Sequence, residues 1–278
     1  MRLLFCGVRG STPAPGPEFV RVGGHTSCVA LASDDGPWSL VLDAGTGIRR
    51  VTDHLGGRAF AGTLLLTHLH WDHVQGLPFF AAGDRDDARV RVLMPDQGGS
   101  SPTEVLARAM SPPHFPIGPD GLRGDWRFDA LTPGAHEIEG FEVIAFDVPH
   151  KGGRTFGFRI VDGRSSIAYI PDHHPEPESL PEIARACAGV DLLVHDAQFL
   201  ERERAVADDY GHATVGDALE LARDAGARTL ALFHHSPARG DDDVDAIGQD
   251  AAGSAPARDF QVIVAREEAI IELGGGSP

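Results

Sequence analysis

Cysteine is scarce in this chain: Cys6, Cys28 and Cys187 are the only three in 278 residues, and no two form a CxxC pair. An odd, scattered set argues against a disulfide framework and for buried thiols in a reducing compartment, which places the protein in the cytoplasm. Long apolar runs are missing too. No stretch approaches the roughly 20 apolar residues that span a bilayer. The apolar opening breaks off at Gly7 and Arg9, so it reads as a first strand and not as a signal peptide. Positive charge is in deficit, 24 Lys and Arg against 41 Asp and Glu, for a net charge of −17. An acidic surface disfavours broad contact with nucleic acid or anionic membrane. It leaves room for a small anionic substrate, because bound metal ions reverse the local field. No internal repeat and no linker divides the chain. With 42% hydrophobic and 23% charged residues, one domain over residues 1–278 with ample core is expected.

What is abundant is histidine, 14 residues in all, and its placement is uneven. In Thr67-His68-Leu69-His70-Trp71-Asp72-His73, four metal-capable side chains fall within six positions. They follow Leu64-Leu65-Leu66, an apolar run of strand length. A strand delivers such a loop to one edge of a sheet, where His68, His70, Asp72 and His73 can converge. Imidazole and carboxylate ligands together suit zinc, with manganese and iron as alternatives.

The same arrangement recurs. Short β-rich segments end in His68, His150, Asp172, His195-Asp196 and His234. Polar groups at the same end of successive strands build one site at the sheet edge. Asp43, at another strand end before glycines, has two readings: it holds a neighbouring loop by hydrogen bonds, or it caps a helix. Helical spacing is expected over 48–55, 102–110, 181–187 and 214–225, the last stopped by Gly226. Residues 111–125, rich in Pro and Gly, read as a long structureless stretch, either a flap over the site or a plain surface loop. Early hairpins followed by alternating strands and helices give a layered α/β protein.

These residues resemble the metallo-β-lactamase superfamily: residues 68–73 match its HxHxDH signature, with Asp43 before it and His150, Asp172 and His234 after it in order. The resemblance implies a four-layer αββα sandwich and two divalent metal ions. One would be held by His68, His70 and His150, the other by Asp72, His73 and His234, with Asp172 bridging. Gly211-His212-Ala213-Thr214, Leu232-Phe233-His234-His235-Ser236-Pro237 and Val194-His195-Asp196-Ala197-Gln198-Phe199 resemble the ribonuclease Z and phosphonate-pathway cyclic phosphodiesterase branch, with Asp196 where Glu is usual. This implies that His212 protonates the leaving oxygen, that Asp196 orients it, and that Asp72 orients the nucleophile while binding metal. Dimers are common in the branch, so a homodimer is an expectation.

Ribonuclease Z carries a tRNA-clamping arm between its third and fourth motifs, whereas a single hairpin joins His150 to Asp172 here. With the negative charge, this favours a small phosphodiester, a cyclic nucleotide or cyclic sugar phosphate, over large nucleic acid. Hydrolysis of a lactone or thioester, and metal or ligand binding without catalysis, stay open as alternatives. The segments Gly7–Ser11, Gly23–Cys28 and Leu42–Gly47 resemble a bacterial subgroup of the same branch; His25, where that subgroup usually has Asn, and His114, in the candidate flap, are candidate substrate contacts. His234 rather than His235 is taken as the ligand, His173 and His174 are read as solvent-facing, and Lys151 and Arg154 as solvated charges within reach of a phosphate.

Overall fold

The computed structural model describes residues 1–254 and 256–274. Two seven-stranded sheets face each other, and each runs in consecutive strand order. The first contains β1 (Arg2–Gly7), β2 (Cys28–Ala32), β3 (Leu40–Leu42), β4 (Ala61–Leu65), β5 (Arg89–Pro95) and β6 (Asp125–Leu131). The second contains β7 (Gly134–Ile138), β8 (Phe141–Asp147), β9 (Phe156–Val161), β10 (Ser166–Ile170), β11 (Leu192–Asp196), β12 (Thr229–Phe233) and β13 (Gln261–Val264). β14 (Ile270–Glu272) then returns to pair with β1.

Each sheet is half antiparallel and half parallel, the parallel halves being β3 to β6 and β10 to β13. Parallel neighbours require crossovers over a sheet face. On the first sheet these carry α1 (Ile48–His54), α2 (Trp71–Val74) and α3 (Pro102–Ala107); on the second, α4 (Leu180–Ala186), α5 (Arg204–Tyr210), α6 (Val215–Ala225) and α7 (Asp241–Ala252). The four-layer αββα sandwich expected from the sequence is therefore the observed architecture.

Strand periodicity explains the layers. In β1, Leu3 and Phe5 point between the sheets, while Leu4 and Cys6 point out under the first helical layer. In β12, Ala231 and Phe233 point inward and Leu230 and Leu232 outward, under the second. Both faces are covered, so central strands read as continuous apolar runs with no polar alternation. All three cysteines are buried and free.

One expectation changes, and one pair of strands had no reading from the sequence: β6 and β7, over residues 125–138, begin where the stretch read as structureless ends. β6 is an edge strand with mostly exposed charged residues; only Leu131 reaches the core between the sheets, while Trp126 and Phe128, half-buried, pack on the first outer layer. A pattern this polar lacks the apolar content by which strands announce themselves. His173 is fully buried rather than solvent-facing, because it turns under the sheet edge to meet His195. α6 matches its expected span: Thr214 forms a capping box with Asp217, and Gly226 closes the helix in the left-handed conformation.

Candidate metal centre

The upper ends of β4, β10, β11 and β12 meet at one edge, and their terminal residues form a single buried cluster. The loop after β4 supplies His68 and His70, and α2, which follows it, Asp72 and His73; the loop after β8 supplies His150; β10 leads to Asp172, β11 ends in Asp196 and β12 leads to His234. Candidate ligand atoms of His68, His70 and His150 lie within 4.8 Å of one another, as do those of Asp72, His73 and His234. Asp172 belongs to a further such group with His68 and His73, and to another with Asp196, His212 and His234. The two triads implied by the family resemblance are thus each drawn together, with Asp172 between them.

Asp43 does not cap a helix; it organises the loop. Thr67 N donates to its Oδ1 at 2.8 Å, His73 Nδ1 to its Oδ2 at 2.8 Å and the Tyr169 hydroxyl to its Oδ2 at 3.0 Å. Asp43 sits at φ +58° and His234 at φ +57°. Non-glycine residues in this region store strain that the surroundings must hold, a pattern that concentrates at functional sites.

The hydrogen bonds fix which nitrogens face the cluster. His73 commits Nδ1 to Asp43, so its Nε2 points at Asp172 Oδ2, 2.8 Å away. His150 commits Nδ1 to the Gly211 carbonyl at 2.6 Å, leaving Nε2 3.2 Å from His70 Nδ1. Burial pushes His68 well below the usual histidine range, with His73 adding to the effect, and its Nε2 is buried without a partner. Burial opposes charge on His73, yet Asp172, Asp72 and Asp43 outweigh it and hold this imidazole well above its ordinary range. Lone pairs converge on one another and on carboxylates, and the acidic groups call for positive charge among them. Such a donor set fits a divalent metal centre of nitrogen and oxygen ligands.

Beside the cluster stands a second unit. His212 Nδ1 lies 3.0 Å from Asp196 Oδ2 and 3.3 Å from Asp172 Oδ1. Asp196 is fully buried and accepts from the backbone N–H groups of Gln198, His173 and Ala213. Burial works against a charged His212, but Asp196, through charge and hydrogen bond, and Asp172 prevail and raise it to about 9.

Other candidates are placed less centrally. His25 is half-buried, its Nδ1 3.3 Å from Thr46 Oγ1, and it lines a separate recess with Arg49 and Arg50. His114 is exposed on the turn that presents Phe115, and it does not line the recess that Phe115 borders. His235 turns away to the Ala265 carbonyl at 3.0 Å. Lys151 donates to the Asp209 carbonyl, and Arg154 pairs with Asp147 at 2.6 Å, so both cations are engaged.

Sequence reasoning assigned no role to Arg9 or Ser11 in the loop between β1 and β2. Ser11 N donates to Asp72 Oδ2 at 2.7 Å, and Gln198 Nε2 donates to Ser11 Oγ at 3.0 Å. Arg9, fully buried, donates to the carbonyls of Gly23, Ser236 and Arg239. It ties this loop to the loop that follows His234. An arginine beside a glycine just past the first strand was the available signal.

A family model described as the β-lactamase superfamily domain matches residues 40–235. Ribonuclease Z of Nocardia farcinica is 28% identical over 237 residues, 71% of this chain and 77% of its own length. The metallo-β-lactamase fold protein YhfI of Bacillus subtilis superposes with a TM-score of 0.74 at 19% identity, covering 98% of this chain and 99% of its own. A diphosphatase from the PhnP family superposes with a TM-score of 0.67 at 18% identity, covering 98% and 97%.

Proposed function

The chain belongs to the metallo-β-lactamase superfamily, as an enzyme of the branch that holds ribonuclease Z and the PhnP-family proteins, and from that premise we propose that it hydrolyses a small phosphodiester. His68, His70 and His150 would hold one divalent ion, Asp72, His73 and His234 a second, with Asp172 shared and zinc the foremost choice. Ions at these positions supply Lewis acidity toward a phosphoryl oxygen and make water a stronger nucleophile at neutral pH.

The observation that carries the reading is the His212–Asp196 pair against Asp172. An alkoxide is a poor leaving group, and its departure needs a proton. Asp196 holds Nδ1 of His212, so Nε2 is the atom from which a proton passes to the leaving oxygen. Acyl transfer to water from a thioester has no such requirement. Asp72, steadied by Ser11 N, orients the attacking water. As this water adds to phosphorus the ester P–O bond breaks, the leaving oxygen takes the His212 proton, and the proton that the water sheds goes to solvent, from which His212 is reprotonated.

Two features favour a small substrate over transfer RNA. Only β9, β10 and their tight turn lie between His150 and Asp172, which leaves no arm to clamp RNA. A net charge of −17 opposes the cationic contacts to phosphate on which RNA binding depends. No helix among the described residues is long and apolar enough to cross a membrane. One core shared by the facing sheets supports a single working domain. A cytoplasmic setting and a homodimer complete the proposal. The test is turnover by the zinc-loaded protein of 2′,3′- and 3′,5′-cyclic nucleotides and cyclic ribose phosphates, against precursor tRNA, lactones and thioesters. Hydrolysis of the cyclic diesters is expected; turnover of thioester or precursor tRNA alone would reject the reading.

A further inference from the structure

Next to the metal-ligand loop lies a cavity of about 450 Å³ that no ligand-holding residue lines. Its volume falls in the roughly 300–1,000 Å³ range of small-molecule sites. Leu69 and Trp71 line it. They alternate in sequence with His68, His70 and Asp72, so one short stretch of backbone serves the cluster and the recess. Phe79 and Phe115 supply another part of its wall, their rings edge-to-face at 5.8 Å.

These aromatics are not core. Trp71 is 74% exposed and Phe79 59% exposed, whereas Val74 and Leu77 on the same turns are buried against the first sheet. Leaving two large rings in water forfeits the hydrophobic gain of covering them, and adjoining exposed rings mark a surface meant to be covered. The polar groups at the recess are few: Gln75 and Arg108. Three rings, a guanidinium and an amide suit a flat heteroaromatic ring, which stacks on its faces and is read at its edge. An alkyl chain would make no use of the two polar groups, and a bare sugar would make little use of the rings.

We propose that this recess seats the nucleobase of the substrate, which makes that substrate a nucleoside cyclic phosphate rather than a cyclic sugar phosphate. The inference rests on the phosphodiesterase reading above. The base lies between Trp71 and the Phe79–Phe115 wall while the phosphodiester reaches the ligand cluster on the other side of the loop.

The test has two arms on the zinc-loaded protein. In the first, KM is compared for adenosine 2′,3′-cyclic phosphate and methyl riboside 2,3-cyclic phosphate, which share the reacting group and differ in the base. The nucleoside substrate is expected to show the lower KM, with the advantage shrinking about 10- to 100-fold in Trp71→Ala. Phe115→Ala, away from the ligand loop, should shrink it too, and Trp71→Phe should restore part of it. In the second arm, adenosine, which has no phosphodiester, is titrated by calorimetry. Binding to the wild type and weakened binding to Phe115→Ala are expected. Equal KM for both substrates in the wild type, with no adenosine binding, would overturn the base site and leave the phosphodiesterase reading standing. Adenosine binding without turnover of either diester would do the reverse. A drop in sedimentation mass from dimer to monomer in both alanine variants, without change in the KM ratio, would assign the rings to self-association and also overturn the proposal.

Discussion

Asp43→Asn changes one atom at the point on which the ligand loop hangs, and its consequence can be worked out donor by donor. Four groups donate to the carboxylate: Thr67 N, Thr67 Oγ1, His73 Nδ1 and the Tyr169 hydroxyl. An amide has one accepting atom and one donating group in their place. The backbone N–H of Thr67 cannot reverse its polarity, so the amide oxygen must stay with Thr67 and the NH₂ must face His73. His73 then accepts at Nδ1 and carries its proton on Nε2, the nitrogen that now faces Asp172 at 2.8 Å. A proton there blocks the position of a ligand lone pair. Asn tolerates the left-handed backbone at φ +58°, so the fold should survive. Loss of such an orienting partner costs roughly 10- to 100-fold in metal affinity, or about 1.4–2.7 kcal/mol. The crowded buried donors should lower apo stability by a further ~1–3 kcal/mol. Competition against a chromophoric zinc chelator measures the first and thermal melting of the apoprotein the second. A folded variant with wild-type zinc affinity would refute the account of Asp43 as the arbiter of the His73 tautomer.

Glu267 supplies a pH prediction away from the cluster. Burial first, with Glu268 adding to it and Arg50 opposing, raises its carboxyl from 4.5 to about 7. The folded state therefore holds the proton more tightly than the unfolded one. Stability from this group is fully present below pH 4.5 and is lost as pH climbs through about 7. Discounted for remaining water contact, the loss is about 2 kcal/mol. Glu267→Gln should gain on the wild type by roughly 4–8 °C in Tm between pH 4.5 and 8, and parallel Tm profiles would contradict this. Gly10→Ala would place a Cβ 2.4 Å from His234 Nδ1 and 2.7 Å from Gln198 Oε1. Overpacking of about 1–3 kcal/mol should fall on His234 and lower zinc content, and full zinc content in the variant would argue against so tight an approach.

How much of this was legible in the sequence depended on range. His68 to His73 are neighbours in the chain, so their convergence needs only a loop, and their spacing displays it directly. His150, Asp172 and His234 could be placed because each ends a strand, and strand ends on one sheet edge meet. Asp196 and His212 were legible as candidates, but their contact depends on the return of the chain from α5 to the start of α6. What stayed hidden was whatever distant packing decides. Ser11 N on Asp72 and Arg9 bridging two loops join segments up to 230 positions apart through backbone carbonyls and amides, which carry no residue signature. The recess of Trp71, Phe79 and Phe115 escaped notice because its rings, spread over 45 positions, have no common period. His173 read as solvent-facing because burial of a histidine shows only once its partner His195 is in place.

The central claim, a proton donor serving a poor leaving group, is tested most directly by the leaving-group dependence of His212→Ala. For a cyclic nucleotide, whose leaving group is a sugar alkoxide, kcat should fall by about 10²- to 10⁴-fold. For bis(p-nitrophenyl) phosphate, whose phenolate departs without a proton, the fall should be less than about tenfold, with zinc content unchanged in the same samples. Full retention of cyclic-nucleotide turnover in His212→Ala, or an equal loss on both substrates, would contradict the assignment.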